Sequence, residues 1–344
     1  MVVIIMTTPM PQKHLVTAIV VTHNRVNDLR TCLAALCEQT HPLHDIIVVD
    51  NASTDETSSF LRCLSDITVV RLRHNAGGAG GFKAGMTAAA QTEAQWWWLM
   101  DDDCVPDPNA LRQLVVACVH GPATLAGAAP SVRYSDGVTQ CGVIWSRRDA
   151  RPARREHNQI DCAPFLGLLL RATACLQVGS VRDDFFIHGD DTEYCLRLQL
   201  RGWFLASARD ALVAHPASRP HHRHRIFGRT VNYPTGPPWK EYYTTRNSII
   251  VAKMMDKTVL SRARTLVRTL TVAFKRIGVL MIRPREGRER ARMHLRGVAD
   301  GLRGHTGAQV RLSHAVSASP MPPNPSVTSH SDVGAMRRSG GDHV

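Results

Sequence analysis

The first hundred residues alternate between strand-like and helix-like patterns, and this alternation restricts the fold more than any other feature. Four β-branched or apolar runs predict buried strands, at residues 16–22, 46–49, 68–72 and 96–100. Between the first two runs, apolar side chains recur at helical spacing, as Leu29, Cys32, Leu33 and Leu36. Strands that alternate with helices form parallel, doubly wound sheets with right-handed crossovers. We therefore expect an α/β fold with a Rossmann-like, mostly parallel central sheet flanked by helices.

Polar or acidic residues stand where these strands end. They are Thr22, His23, Asp50, Asn75 and the acidic triplet Asp101, Asp102 and Asp103. The carboxyl ends of parallel strands meet at one edge of a sheet, and ligands of open α/β sheets bind outside that edge. The sequence therefore predicts a binding site that gathers residues far apart in the chain.

The acidic triplet directly follows the apolar run 96–100. Transferring one ionised carboxylate away from water costs several kcal/mol unless a positive charge compensates it. Three carboxylates at the end of a buried strand therefore indicate a divalent cation. Mg²⁺ and Mn²⁺ accept carboxylate oxygens and leave positions open for substrate phosphates. A solvated acidic turn that caps the next helix is the alternative.

A glycine-rich stretch, residues 74–82, follows the third strand and precedes a helix that we expect to begin at Ala84. Four glycines, including Gly77 and Gly78, predict a loop whose backbone N–H groups approach a phosphate or a sugar. The glycines do not fall as GxGxxG and do not follow the first strand, which argues against a dinucleotide-binding oxidoreductase. A flexible tight turn is the alternative.

A third cluster of acids stands at the start of a predicted helix. Asp190 and Asp191 precede apolar residues at helical spacing, and Glu193 follows them closely. One of these carboxylates could act as a general base that takes a proton from an acceptor hydroxyl. The alternative is a purely structural role, since acidic residues in a first turn are favoured by the helix dipole. His215, which ends the short apolar run 211–214, is a reasonable additional metal ligand.

The positive charge of the chain is concentrated in its C-terminal third. The net charge is +13: residues 1–220 hold 20 Lys and Arg against 22 Asp and Glu, or −2, and residues 221–344 hold 22 against 7, or +15. Between residues 242 and 303, apolar and basic residues alternate as in an amphipathic helix that lies on an anionic membrane. A basic helix packed on the rest of the protein is the alternative. No zinc or aromatic-interleaved basic motif is present, so we expect no nucleic-acid partner.

Taken in order, these motifs resemble those of inverting family-2 glycosyltransferases with the GT-A fold. The matching segments are residues 20–25, 48–55, 101–103 and 190–203. More narrowly, three segments resemble bacterial galactofuranosyltransferases of cell-wall galactan assembly, namely residues 75–86, 98–103 and 242–247. The resemblance covers about residues 16 to 250. Related rhamnosyltransferases share the same motifs.

The resemblance implies a role for each site residue. Thr22, His23 and Asp50 would hold the nucleotide base and ribose, and Asp102 would lie toward the ribose. Donor binding would also involve Asn75, Gly77 and Gly78. Metal ligands would be Asp101, Asp103 and His215. Asp191 matches the catalytic base, and Asp190 or Glu193 could share that role.

The implied reaction is the metal-dependent, inverting transfer of galactofuranose from UDP-galactofuranose to a polyprenyl-diphosphate-linked cell-wall glycan. The cofactor would be Mg²⁺ or Mn²⁺. Two alternatives stay open. One is a rhamnosyltransferase that uses dTDP-rhamnose, and the other is a non-catalytic scaffold with a glycosyltransferase fold.

We predict four regions along the chain: a disordered N-terminus at 1–14, a GT-A catalytic domain at 15–220, a basic loop and amphipathic helical region at 221–305, and a disordered tail at 306–344. The nine cysteines contain no CxxC pair, which favours reduced thiols in a cytosolic protein. No apolar run reaches the roughly 20 residues of a membrane-spanning helix. We therefore expect a cytoplasmic protein held peripherally on the inner face of the plasma membrane.

Overall fold

A large mixed sheet organises the fold. The computed structural model describes residues 14–143, 158–216, 221–226, 229–234, 236–255, 258–281 and 285–309. Within these ranges ten strands pair into one sheet and two more form a hairpin. The strands are β1 Val16–Thr22, β2 Asp45–Asp50, β3 Thr68–Arg71, β4 Trp96–Asp101, β5 Val105–Pro106, β6 Leu125–Tyr134, β7 Thr139–Gln140, β8 Gln159–Ile160, β9 Leu168–Arg171, β10 Phe204–His215, β11 His221–Ile226 and β12 Arg229–Pro234.

Helices connect these strands and continue beyond the hairpin. They are α1 Val26–Cys37, α2 Thr57–Arg62, α3 Gly77–Ala89, α4 Ala110–Val119, α5 Ala172–Val178, α6 Asp190–Leu200, α7 Trp239–Met254, α8 Val259–Met281 and α9 Arg285–Arg303. A short 3₁₀ helix, Asp183–Phe185, lies just before α6.

The main path through the sheet runs β3-β2-β1-β4-β9-β6-β10-β5. The first four strands pair in parallel, as the alternating pattern predicts. β9 runs antiparallel to β4 and to β6, β10 is parallel to β6, and β5 is antiparallel to β10. All strands of this path except β9 and β5 therefore run in one direction, and their carboxyl ends share one edge.

Both faces of the first strand are buried, which explains its continuous apolar run. Ile19 and Val21 pack on one side with Phe82 of α3. Ala18 and Val20 pack on the other side with residues of α1, such as Leu29. The sheet thus lies between two apolar layers, as expected for a doubly wound α/β domain.

The glycine-rich stretch is helical rather than a loop, which corrects the sequence-based expectation. α3 begins at Gly77, seven residues before the predicted start at Ala84. A Cβ on Gly81 would overlap Val21, and a Cβ on Gly85 would overlap Ile19. These two glycines let α3 approach β1 closely, because no side chain separates the helix from the strand.

One strand that the sequence pattern did not predict, β6, lies in the middle of the sheet. Pro130 interrupts its apolar run, and proline is normally excluded from central strands because it lacks an N–H group. The pairing with β10 shifts register beside Pro130, between Ala208 and Leu212. The irregular ladder at this point accommodates the missing donor.

The region after the hairpin is helical, as predicted, but forms three helices. Gly297 and Gly301 of α9 face α7, where a Cβ would lie 2.6 Å from the carbonyl oxygen of Tyr242 and 3.0 Å from that of Arg246. The Tyr242 hydroxyl also donates to Asp300 Oδ2 at 2.8 Å. α7 and α9 therefore pack closely side by side.

The predicted region boundaries stay predictions. Of the two ends expected to be disordered, 1–14 and 306–344, only residues 14 and 306–309 belong to the described part of the chain. In the predicted basic loop the described backbone forms the hairpin of β11 and β12. Every one of the nine cysteines lies in the described ranges, and all are free thiols.

Candidate active site

The carboxyl ends of the parallel strands bring together most of the predicted site residues. Thr22 ends β1, Asp50 ends β2, Asp101 ends β4 and His215 ends β10. Asp190 begins α6, and the charge of Asp101 is among the causes that raise its pKa, after burial and Asp191. The sheet edge thus unites the acidic triplet with the acids of α6.

Asp102 has a partner on each carboxylate oxygen. The Thr22 hydroxyl donates to Oδ2 at 2.7 Å, and Arg25 Nη1 lies 3.3 Å from Oδ1. The same Arg25 nitrogen donates to Asp103 Oδ2 at 2.5 Å. Burial raises the pKa of Asp102 to about 6 although Arg25 and Thr22 favour its ionised form. For Asp101, burial and the charges of Asp103 and Asp102 raise the pKa to about 7.

Arg25 belongs to the motif at residues 20–25, but the sequence analysis assigned it no role. Its side chain is 48% exposed, whereas that of Asp102 is 5% exposed, so the cation covers the triplet from the solvent side. A basic residue shortly after the end of β1, on the edge expected to hold the triplet, was the signal that could have identified it.

Asp103 and His215 form a close pair. Asp103 Oδ1 lies 2.9 Å from His215 Nε2, and His215 Nδ1 lies 2.8 Å from the carbonyl oxygen of Pro216. Burial raises the pKa of Asp103, but His215 and Arg25 more than offset it and hold the pKa below its ordinary value. Burial likewise lowers the pKa of His215, but Asp103 more than offsets it and the pKa is raised.

The geometry of this pair fits a hard divalent cation. Asp103 Oδ1 is buried and has no hydrogen-bond donor among the described residues. When His215 Nδ1 donates its proton to the Pro216 carbonyl, the neutral ring turns the Nε2 lone pair toward Asp103. Two lone pairs that face each other need a positive charge between them, and oxygen and imidazole ligands suit Mg²⁺ or Mn²⁺.

Cys104, rather than Asp101, completes the group of ligand atoms that lie close together. The ligand atoms of Asp103, Cys104 and His215 all lie within 4.8 Å of one another. Burial raises the pKa of the Cys104 thiol well above its ordinary value, so the sulfur stays protonated and is a poor ligand for a hard cation. Asp101 stays a prediction as a metal ligand.

The predicted base and ribose residues lie beside β1 and β2. Asp50 is buried, and it accepts hydrogen bonds from the Ser58 hydroxyl at 2.6 Å and from the Ser53 backbone N–H at 2.8 Å. Burial alone would raise the pKa of Asp50, but these bonds lower it. His23 Nδ1 is buried without a hydrogen-bond partner in the described part of the chain. Asp50 therefore braces the loop after β2, and His23 keeps an unused ring nitrogen.

The start of α3 is fixed by two asparagines. Asn75 Oδ1 accepts from the Gly77 N–H at 2.8 Å, and Asn51 Nδ2 donates to the Gly77 carbonyl at 2.9 Å. Gly77 has a φ of 73°, and a Cβ there would overlap the carbonyl oxygen of Phe186. A Cβ on Gly78, by contrast, would meet nothing within 4 Å. Gly77 is thus needed for the backbone, and Gly78 faces open space.

The three acids of α6 have different surroundings. Glu193 is fully buried and pairs with Arg197 through both oxygens, at 3.0 and 2.9 Å. Asp191 Oδ1 accepts from the Thr192 N–H at 2.6 Å and from its hydroxyl at 3.1 Å. Burial raises the pKa of Asp191, while burial and the charge of Asp191 raise that of Asp190 well above its ordinary value.

Tyr134, at the end of β6, lies between the metal pair and the acids of α6. Its ring centroid is 5.7 Å from that of His215 in an edge-to-face arrangement. Burial raises the pKa of Tyr134, and the charge of Asp191 contributes to the same shift. The sequence analysis missed Tyr134 because it did not predict β6.

Comparison with known sequences gives a consistent result. A family model described as glycosyl transferase family 2 matches residues 17–171. The chain is 34% identical over 247 residues to the galactofuranosyltransferase GlfT1 of Mycobacterium tuberculosis (strain H37Rv), which covers 67% of this chain and 80% of the relative. It is 30% identical over 252 residues to the GlfT1 of Mycolicibacterium smegmatis, covering 69% and 83%.

Solved structures share the fold. Staphylococcus aureus TarS (residues 1–349) in complex with UDP-GlcNAc matches with a TM-score of 0.54 and 14% identity, over 85% of this chain and 81% of that chain. GalNAc-T7 with UDP, GalNAc and Mn²⁺ matches with a TM-score of 0.52 and 15% identity, over 71% and 48%. At such low identity the likeness concerns the fold alone, and it confirms the predicted GT-A architecture.

Proposed function

Because the chain belongs to glycosyl transferase family 2, we propose that it transfers galactofuranose from UDP-galactofuranose to a polyprenyl-diphosphate-linked cell-wall glycan, with inversion at the anomeric carbon. The observation that carries the catalytic part is the meeting of Asp103, His215 and the acids of α6 at one sheet edge. The choice of galactofuranose is supported by the identity of 34% to a galactofuranosyltransferase over 80% of its length.

The donor would lie along the carboxyl ends of β1, β2 and β4. Thr22, His23 and Asp50 would hold the base and ribose, and Asp102 would lie toward the ribose. The open space at Gly78 supports a place for the diphosphate beside the start of α3, where backbone N–H groups favour a negative group. Asn75 and Gly77 would shape this part of the site through the backbone.

Asp103 and His215, with Asp101 as the predicted third ligand, would hold Mg²⁺ or Mn²⁺. When bound, the ion supplies positive charge that stabilises the diphosphate as it leaves. No protein general acid is then required, since UDP departs as an anion.

Asp191 is the base in this proposal because the other two acids are occupied. The Arg197 guanidinium takes both oxygens of Glu193. Asp190 is held in its protonated form by burial and by Asp191. A raised pKa brings Asp191 closer to neutral pH, where a base is most effective. Asp191 takes the proton of the acceptor hydroxyl while that oxygen bonds to the anomeric carbon, and the bond to UDP breaks on the opposite face.

A donor screen tests the reaction. We expect the purified protein with Mg²⁺ or Mn²⁺ to transfer galactofuranose from UDP-galactofuranose to a synthetic polyprenyl-diphosphate-linked saccharide. dTDP-rhamnose should give little product, and NMR of the new linkage should show inversion. Faster transfer from dTDP-rhamnose would support a rhamnosyltransferase instead. Binding of UDP without transfer from either donor would support the scaffold alternative.

The exposed side of α8 supports attachment to an anionic membrane surface. Leu260, Val267 and Phe274 recur every seven residues and are all more than half exposed. Arg268 and Lys275 are exposed next to them in the sequence. Apolar side chains that enter the interface together with cations that attract anionic lipid are typical of a helix lying on a membrane. Among the described residues, no helix combines the length and apolar content needed to cross a bilayer.

Vesicle co-sedimentation tests this attachment, and with it the proposed position on the inner face of the plasma membrane. We expect binding to vesicles that contain phosphatidylglycerol, weaker binding to phosphatidylcholine alone, and a decrease with salt. Val267→Glu should reduce the bound fraction. Val116→Glu, which adds the same charge at an exposed valine of α4, is the matched control. Equal losses in both variants would contradict a specific role of α8.

A further inference from the structure

The segment just before α6 has an unusual backbone. Phe186 has φ 64° and ψ −63°, His188 has φ 64°, and Gly189 has φ 80°. Two of these three residues carry a side chain, and such conformations persist only where the surroundings hold them in place. Asp190 and Asp191 follow directly, so whatever holds this segment also sets where the acids of α6 lie.

Asn247 of α7 holds the segment from one side. Its Nδ2 group lies within hydrogen-bond distance of three carbonyl oxygens, those of Phe185 at 3.0 Å, Ile187 at 3.0 Å and His188 at 2.6 Å. Asn247 is 1% exposed, so water does not compete for these bonds. A single amide group therefore fixes the turn on both sides of Phe186.

Arg246 extends this contact. It is fully buried, and its Nη2 donates to the carbonyls of Asp184 at 3.1 Å and Phe185 at 2.9 Å. Its Nε donates to Asn247 Oδ1 at 2.8 Å, which orients the Asn247 amide so that Nδ2 faces the segment. The guanidinium also lies 4.9 Å from the ring centroid of Tyr243.

The carbonyl of Phe186 makes its contact with α3 instead. It accepts a hydrogen bond from the Ala79 N–H at 3.1 Å, and it lies so close to Gly77 that a Cβ there would overlap it. The segment therefore touches the start of α3 with one peptide group and Asn247 with the groups on either side. The distance between the proposed diphosphate site and Asp191 depends on this segment.

We propose that Asn247, oriented by Arg246, is a positioning residue that holds Asp191 at its working distance from the donor. This inference rests on the proposed function, in which Asp191 is the base. Neither residue reaches the sheet edge in any described contact, so the effect acts through the backbone of residues 184–188. The motif at residues 242–247, which the sequence analysis noted only as part of a resemblance, thereby acquires a role.

Kinetics of Asn247→Ala test the proposal. We expect kcat for transfer to fall by about 100-fold, the scale of a displacement of about 1 Å in a catalytic group. The affinity for UDP should change by less than about threefold, since the donor residues on β1 and β2 are untouched. UDP-binding stoichiometry, measured by calorimetry, reports the folded fraction. Ser248→Ala, which removes an exposed hydroxyl bonded within α7, is the matched control and should behave as wild type.

The outcomes are distinct. An unchanged kcat, or a kcat that falls only in proportion to UDP-binding stoichiometry, would overturn the positioning role. If Asn247→Ala does not fold, Asn247→Ser decides, because it keeps one donor and should lower kcat by about 10-fold with full stoichiometry. Wild-type activity that Asp191→Asn abolishes but Asn247→Ala leaves intact removes this inference alone. A wild type without transferase activity removes the proposed function as well.

Discussion

Replacing Asp191 with asparagine should lower the turnover of sugar transfer by about 10²- to 10⁴-fold, the usual contribution of a general base. The amide has the size of the carboxylate but cannot take the proton of the acceptor hydroxyl. Its carbonyl oxygen can still accept the bonds from Thr192, so the start of α6 should keep its structure. UDP affinity should therefore stay within about threefold of wild type. Initial rates at saturating donor and acceptor, with UDP binding by calorimetry, provide the measurement.

Asp190→Asn is the matched control, because the same substitution is made one residue away. Burial and the charge of Asp191 raise the pKa of Asp190, so its carboxyl is already neutral and an amide changes its charge little. We expect less than about a 10-fold loss of turnover. A larger loss in Asp190→Asn than in Asp191→Asn would assign the base role to Asp190.

Replacing Asp103 with alanine should abolish the response to Mg²⁺ or Mn²⁺ and lower transfer by about 10²- to 10³-fold, as when a charge-stabilising group is lost. Asp103 Oδ1 is the buried oxygen that faces His215 Nε2 without a donor. Its removal leaves the histidine as the single member of the pair. Titration of Mn²⁺ followed by electron paramagnetic resonance, alongside rates at varied metal concentration, measures both effects.

Cys104→Ala separates the two ligand sets that the geometry allows. The thiol lies within the same 4.8 Å group, but its raised pKa keeps it protonated. We expect Mn²⁺ affinity and turnover within about threefold of wild type. Loss of Mn²⁺ binding in Cys104→Ala together with retention in Asp103→Ala would refute the oxygen and imidazole site.

Much of the fold was predictable because β1, β2 and β4 are buried on both faces and therefore form continuous apolar runs. β6 escaped prediction because Gly127 and Pro130 are poor strand residues by themselves. Their tolerance depends on neighbouring strands: a Cβ on Gly127 would overlap the carbonyl oxygen of Leu169 in β9, and the ladder shifts register beside Pro130. Such tertiary reasons are absent from a local pattern.

The start of α3 was wrong for a related reason. Glycines favour loops when they are considered one at a time. Here Gly81 and Gly85 serve the contact with β1, which a pattern along a single segment does not reveal.

Predictability of the candidate site followed the same division. The strand-end residues were identified because topology places them at one edge, whatever their side-chain contacts. The choice among Asp190, Asp191 and Glu193 needed coordinates, although the spacing of Glu193 and Arg197 is that of a helical ion pair and could have suggested the structural role of Glu193. Tyr134 and Asn247 contact the site or its support from β6 and α7, and their positions in the sequence carry no signal of that contact.

A crystal structure of the protein with UDP and Mn²⁺ tests the central claim most directly, because manganese is identified by its anomalous scattering. We predict the manganese peak between Asp103 Oδ1 and His215 Nε2, with the uracil beside Asp50 and the diphosphate between the metal and the start of α3. Asp191 should face the same pocket from the start of α6. A manganese peak away from Asp103 and His215, or UDP bound on another face of the sheet, would contradict the account.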